Sequence, residues 1–496
     1  MTMALSKSKF LAGRQCPKLL WAHFNAKDRI PPPDPGRQFI FDMGHIVGGL
    51  AKRSYPGGIE IDCPGPGGRP DVPATVAETA RLLPLRKPLF EASFLVDGRY
   101  VRADVLVPRE GDRWDLVEVK SSTRVQDVNL WDVAYQFDCL TRAGLELDRL
   151  YLMHVDTTYV RRGAVDPRAL FHQVDVTAEA RALAPEVPRL VAEFAAVIGG
   201  DEPQTPIGSH CVSPFPCPLK SHCWAGLPEH HVTRLYYGGK KAFHWVASGW
   251  ETIDQLPPDG LSAPQRIQQN TVSSGQPHFE AAPVRRWLDG LEYPIHHLDF
   301  ETMAPAVPLC DGTRPYQQVP FQFSLHVQDR PGATPRHLEF LAEGPGDPRP
   351  GLLEGLRAIG PQGTVLAFNA GFERTVLGNL GTDFPDFGPL TADLIRRMDD
   401  LATPFKRFQA YHPSQQGKYS LKAVLPAWTG LSYEGLDIAD GQAAASEFVR
   451  AMYGDEIGLP PLDGRDRARV LADLSAYCRL DTLAMVEVLE ILMARV

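Results

Sequence analysis

An α/β fold in two domains joined by a small helical connector is what this sequence predicts. Two observations carry that prediction. Residues 1–225 run from short helical segments through alternating apolar and polar stretches to a long helical stretch, and the same mixture returns over 291–496, from YPIHHLDF onward. Between them, residues 226–290 are short, polar and rich in turn signals (YYGGKK, PPDG, SSGQP), which reads as a connector. The length of 496 residues allows two or three domains with a core in each. Hydrophobic residues at 44% and charged residues at 22% exclude collagen, coiled coil and wholesale disorder. No apolar run is long enough to span a membrane, and MTMALSKSKFLAG lacks the apolar centre of a signal peptide, so the expected location is the cytoplasm. A net charge of −9 argues against a uniformly basic coat protein, while leaving room for a local basic groove on an acidic body.

In the first domain the cysteines come first. Cys16 stands near the N-terminus, and Cys211, Cys217 and Cys223 fall within HCVSPFPCPLKSHCW, where Pro214, Pro216 and Pro218 stiffen the loop. A cytosolic chain has little use for structural disulfides, so three thiols so close together point toward a metal. The C-x5-C-x5-C spacing is wider than the usual zinc knuckle and leaves metal binding and free thiols both open. Cys63, Cys139, Cys310 and Cys478 stand alone and are expected as small buried hydrophobes.

Further along lies a hairpin. YVRADVLVP and WDLVEVKSS read as paired strands joined through REGD, with Asp104 on the first. Glu118 and Lys120 lie at i and i+2 on the second, so both leave the same face. Two carboxylates that hold a divalent ion, beside a lysine that steadies developing charge, are what phosphodiester hydrolysis needs. Alone, an E-x-K triplet is as well explained by a solvated strand face. The surroundings favour chemistry: D-x13-E-V-K between two strands, followed by a helix with Gln136, resembles the PD-(D/E)XK nucleases of the RecB type. Within that group it is similar to the iron–sulfur members, in which one cysteine precedes the nuclease core and three follow it. The resemblance implies that Cys16, Cys211, Cys217 and Cys223 bind one structural 4Fe–4S cluster. It also implies that Asp104 and Glu118 bind Mg²⁺ or Mn²⁺, that Lys120 and Gln136 complete the site, and that Glu91 (LFEASF) supplies a further acidic group. Gly48 occupies the position of that group's upstream histidine, with His45 nearby.

The second domain carries a sharper set. Asp299 and Glu301 in HHLDFETM are i and i+2 on a strand, and Glu373 follows the strand end in VLAFNAGFERTVL. Tyr477 and Asp481 in LADLSAYCRLDTLAMVEVLEIL are i and i+4 on a long helix. Four carboxylates and a hydroxyl are the donor set for two divalent ions and a positioned water. The order D-x-E, N-x-x-F-E, Y-x-x-x-D resembles the DnaQ-like, RNase H-like 3′–5′ exonucleases of the subclass with tyrosine in the third motif. That resemblance implies metal binding by Asp299, Glu301, Glu373 and Asp481, with Tyr477 orienting the water. Glu373 stands where the family more often has Asp. Lys418 and Lys422 in KYSLKAVLP could meet phosphates, although a solvated helix face explains them as well.

The pairing of the two domains resembles a bacterial family of unknown function. The connector faintly resembles a helix-hairpin-helix, while Trp245 and Trp250 read as packing aromatics rather than stacking platforms. Three function classes follow. The first is a two-site nuclease acting on DNA or RNA, on single strands or ends. The second is a nucleic-acid-binding or assembly protein in which one nuclease domain is an inactive scaffold. The third is a zinc-stapled protein unrelated to nucleic acid.

Overall fold

A computed structural model describes residues 4–435, 438, 440–459 and 467–496. The fold is mixed α/β, in two compact units. One unit runs to Ala225 and includes residues 305–308 and 314–316; the other comprises Gly226–Ala304, Leu309–Thr313 and Gln317–Val496. Among the described residues no helix is long and apolar enough to cross a membrane.

The first unit opens with β1 (Leu5–Ser6), α1 (Lys7–Gln15), α2 (Pro17–Asn25) and α3 (Pro35–Lys52). Pro17 and Pro35 each lie at a helix start, where their missing N–H costs nothing. Asp34 caps α3 by accepting from the Arg37 N–H at 2.8 Å. Then follow β2 (Ile59–Glu60), α4 (Val72–Leu82), β3 (Leu89–Val96), β4 (Arg99–Pro108), β5 (Arg113–Lys120), α5 (Asp127–Arg142), β6 (Glu146–Val155), α6 (Pro167–Leu170) and β7 (Phe171–Asp175). The sheet order is β2-β3-β4-β5-β6-β7, with β1 beside β4. β4 pairs antiparallel with both β3 and β5, and β5 runs parallel to β6 across α5. Alternation along β5 decides what each face carries. Trp114 and Leu116 join the core that holds Val133, Ala134 and Tyr135 of α5, whereas Val117 packs with Ala51 of α3 on the other face. Glu118 and Lys120 therefore lie on the α5 side. The long helical stretch expected before the cysteines is broken into α7 (Thr177–Leu183), one 3₁₀ turn and α8 (Val187–Gly199). Pro185 and Pro188 lack the N–H that a continuous helix requires. The short α9 (Lys220–Cys223) closes the unit.

Residues 226–290, expected as a connector, fold into the second unit. Here α10 (Gly239–Ala247), α11 (Ala263–Ser274), β8 (His278–Phe279) and α12 (Ala281–Leu288) precede its main sheet. β8 pairs with β14 (Ala410–Tyr411), and the Tyr236 ring meets Phe408 at 4.5 Å, so buried aromatic area joins the segment to the domain. Trp245 and Trp250 pack edge to face at 6.1 Å.

The main sheet has the order β11 (Arg336–Leu341), β10 (Val319–Gln328), β9 (Ile295–Met303), β12 (Val365–Ala367), β13 (Met398–Asp400). β9 is antiparallel to β10 and parallel to β12. Gly363, just before β12, has φ +82, and a Cβ there would lie 1.9 Å from the Pro294 carbonyl, so only glycine fits. Every residue of β10 is buried because helices cover both faces. Phe323, Leu325 and Val327 meet Leu352, Leu353 and Leu356 of α13 (Arg349–Leu356). Gln322, Ser324 and His326 face α19 (Arg467–Ala494), where Thr482 bonds Ser324 at 2.6 Å and His326 at 2.8 Å. By the same alternation, Leu298 and Phe300 of β9 go to the apolar side, and Asp299 and Glu301 go to the α19 side. α14 (Gly371–Asp383), α15 (Gly388–Arg397), α16 (Thr403–Lys406), α17 (Leu421–Thr429) and α18 (Gly441–Ile457) complete the unit.

Candidate functional sites

In the first unit the hairpin residues converge as the strand spacing predicts. Lys120 Nζ lies 2.6 Å from Glu118 Oε1, and Gln136 Nε2 donates to Glu118 Oε2 at 2.7 Å. Asp104 accepts from the Val119 N–H at 2.8 Å, which fixes its carboxylate beside β5. Two residues complete the set. Asp132, one turn before Gln136 on α5, holds Lys120 at 2.6 Å. Lys7, the first residue of α1, reaches Glu118 at 2.8 and 3.0 Å and Asp104 at 3.4 Å. Burial and the neighbouring Glu118 charge push Asp104 up to about 6, with the two lysines opposing. Burial acts upward on Glu118 too, but Lys120 and Lys7 outweigh it and hold that carboxylate well below its usual range. Glu91 goes elsewhere: its carboxylate is taken by Lys52 at 2.9 Å and Arg102 at 2.5 Å. Its backbone at φ +60 interrupts the alternation of β3, so the side chain does not supply the further acidic group that the resemblance implies.

Cys16, Cys211, Cys217 and Cys223 line one small pocket together with Lys18, His210 and Leu219. Cys16 sits at the junction of α1 and α2, and Gln15 ties it to the cysteine loop by donating to the carbonyls of His210 at 2.8 Å and Phe215 at 2.7 Å. All eight cysteines are free. Burial first, and then the charge of the other thiols, pushes Cys217 up to about 11. A cation removes that cost, so the donor set fits a thiolate-bound metal.

The second unit holds the denser cluster. Asp299, Glu301 and Cys478 present donor atoms all within 4.8 Å of one another, and the Cys478 thiol lies 3.7 Å from Asp299 Oδ2. Asp481 stands one turn beyond Tyr477 on α19, and Tyr433 donates to its Oδ1 at 2.5 Å. Glu373, in the first turn of α14, is buried, and its Oε2 has no hydrogen-bond partner. Gly441 opens α18 against the cluster; a Cβ there would lie 3.4 Å from Glu301 Oε2. Burial raises all four carboxyls, and at Asp299 and Glu301 the neighbouring carboxylates add to it. Asp299 lies far above its ordinary value through burial and the charges of Asp481, Glu301 and Glu373. Glu301 and Glu373 are each pushed up to about 8, and Asp481 to about 6. Uncompensated carboxylates and an orphaned buried oxygen are what a site for divalent cations looks like without them, so these residues fit such ions.

Lys422, whose place in the sequence favours a solvated helix face, lies over the Tyr477 ring at 4.8 Å and the Tyr433 ring at 5.4 Å and opposes the upward shifts of Glu301 and Asp481. Cys478, expected as an ordinary buried thiol, belongs to the cluster. Its i, i+3 relation to Asp481 was a visible signal. The i−4 relation of Asp132 to Gln136 was another. Lys7 and Tyr433 carried none, since their partners are remote in sequence.

The second unit is thus a mixed α/β domain built around a buried carboxylate cluster. A family model described as a domain of unknown function (DUF2779) matches residues 296–420, which hold Asp299, Glu301 and Glu373 and end before Tyr477 and Asp481. No curated protein matches the chain.

Proposed function

We propose that this chain is a metal-dependent nuclease that hydrolyses phosphodiester bonds of DNA or RNA, with a DnaQ-like 3′–5′ exonuclease site in the second unit and a RecB-like PD-(D/E)XK site in the first. The observation that carries the reading is the group of Asp299, Glu301 and Cys478, whose donor atoms lie within 4.8 Å of one another, with the charges of Glu373 and Asp481 both felt at Asp299. Asp299, Glu301, Glu373 and Asp481 are the residues that would hold the ions. When bound, Mg²⁺ or Mn²⁺ polarises the phosphate and lowers the pKa of water. Tyr477 orients the nucleophile through its hydroxyl, Tyr433 keeps Asp481 aimed, and Lys422 balances the negative charge that grows at the phosphate. In the first unit Asp104 and Glu118 hold the ion, Lys120 is fixed by Asp132 to face the scissile phosphate, and Gln136 orients Glu118. Cys16, Cys211, Cys217 and Cys223 hold a 4Fe–4S cluster with a structural role, a reading supported by the four cysteines lining one pocket. The substrates are single strands or ends, and the compartment is the cytoplasm.

A second reading, in which the first unit is an inactive scaffold, draws on the same contacts: in Glu118 both oxygens are already engaged by Lys7, Lys120 and Gln136. End-labelled single- and double-stranded DNA and RNA, incubated with Mg²⁺ or Mn²⁺, separate the two. Asp299→Ala abolishes 3′ trimming and Glu118→Ala abolishes a second cleavage pattern if both units are active. Trimming that survives Asp299→Ala overturns the exonuclease assignment, and an unchanged pattern in Glu118→Ala leaves the first unit a scaffold.

A further inference from the structure

We propose that Lys7 is the resident counter-ion of the first unit's carboxylate pair: its ammonium holds the place between Asp104 and Glu118 that a divalent ion takes, and it turns outward to meet the substrate's phosphate when the ion enters. The inference rests on the reading of Asp104 and Glu118 as ion ligands. Lys7 Nζ is within 3.4 Å of one oxygen of Asp104 and within 3.0 Å of both oxygens of Glu118, so it occupies the lone pairs an ion would use. A purely structural lysine does not need both partners. Lys120 already neutralises Glu118 from the other side and is itself anchored by Asp132.

Charge completes the argument. Asp104, Glu118 and Asp132 face two ammoniums, so the metal-free cluster carries one net negative charge. A divalent ion added with both lysines in place leaves it one positive, and positive charge crowded onto the same oxygens is repulsive at contact distance. Lys120 cannot relieve it, because Asp132 holds it. Lys7 can: its side chain is 25% exposed, and it starts from the first turn of α1, where a long flexible stem swings without disturbing the helix. Displaced, it carries the surplus positive charge to the mouth of the site, where a phosphodiester bears one negative charge.

The test uses the full chain carrying Asp299→Ala and Glu301→Ala, so that Mn²⁺ has no place in the second unit, and reads Mn²⁺ binding by electron paramagnetic resonance without nucleic acid. Lys7→Gln is expected to tighten Mn²⁺ about tenfold, equivalent to about 1.4 kcal/mol, because the ion no longer displaces an ammonium. Lys7→Arg keeps a competing cation and is expected to leave the affinity unchanged. Equal or weaker binding in Lys7→Gln overturns the inference alone. Binding of no Mn²⁺ by either the parent or Lys7→Gln overturns the ligand reading on which it rests. A second measurement needs no substitution at Lys7: acetylation of its amine in the parent protein, followed by mass spectrometry, is expected to speed up several-fold with saturating Mn²⁺. An unchanged rate overturns the proposal.

Discussion

The Tyr433 hydroxyl donates to Asp481 Oδ1 at 2.5 Å across 48 residues of chain, joining the loop after α17 to α19. Tyr477 stands one turn before Asp481 on the same helix and also favours its charged form. Two hydroxyls thus serve one site, and their roles separate by position.

Tyr433→Phe removes a donor to a charged acceptor, an interaction worth about 1.5–3 kcal/mol. The expected result is roughly tenfold or more weaker Mg²⁺ affinity with the fold retained, read as a smaller thermal shift on adding the ion. Tyr477→Phe is expected to leave that shift nearly intact and to slow turnover instead, because the role proposed for its hydroxyl is to orient the nucleophile and not to hold the ion. Equal losses of affinity in both variants would contradict the division of labour.

The carboxylate cluster sets a pH dependence with a definite sign. Glu301 and Glu373 titrate near 8 in the folded, ion-free protein and near the ordinary carboxylate value of 4.5 when unfolded. The folded state therefore retains protons that the unfolded chain releases. Their stabilising contribution is complete below the unfolded value and is lost as pH rises through about 8. In EDTA the melting temperature of the second unit should fall by roughly 5 °C or more between pH 6 and 9. Saturating Mg²⁺ should flatten that slope, so its stabilising effect grows with pH. A slope that persists unchanged in Mg²⁺ would show that the ion binds elsewhere.

Changing Cys16, Cys211, Cys217 or Cys223 to Ser should bleach anaerobically purified protein near 400 nm and lower the stability of the first unit together, because metal binding and folding are one equilibrium. Cys63→Ser, at a half-buried thiol outside the pocket, is the control and should leave iron and sulfide content unchanged. A colourless parent protein with one zinc per chain would replace the cluster by the smaller ion.

Asp132→Asn should leave the first unit folded and slow its cleavage by roughly 10–100-fold, since Lys120 loses the partner that aims it. The effect belongs in kcat rather than KM, because Lys120 steadies charge that develops during the reaction. A pure KM effect would make Lys120 a binding residue instead.

Much of this was legible because the informative relations were local. Period-2 spacing placed Glu118 with Lys120 and Asp299 with Glu301, and period-3.6 spacing placed Tyr477 with Asp481. The resemblance misled at Glu91, whose left-handed backbone and whose partners Lys52 and Arg102 nothing in LFEASF announces. The helical stretch before the cysteines was overread because two prolines, each acceptable at a helix start, together divide it. The connector was misjudged for a different reason: its polar composition hid Tyr236 and Phe279, whose partners Phe408 and Trp428 lie more than a hundred residues on. Lys7 and Tyr433 belong to the same class, since tertiary contacts leave no periodic trace.

Helix α1 is also a ruler. It begins at Lys7, against Glu118, and ends where Cys16 enters the thiol pocket, a span of nine residues or about 13 Å. Both ends are fixed to different parts of the unit, so the number of residues between them is itself constrained. One alanine inserted after Phe10 would turn the two ends about 100° relative to each other and move them about 1.5 Å apart. Neither end could keep its partners unless the other let go. Lineages of this chain should therefore hardly vary in length between Lys7 and Cys16.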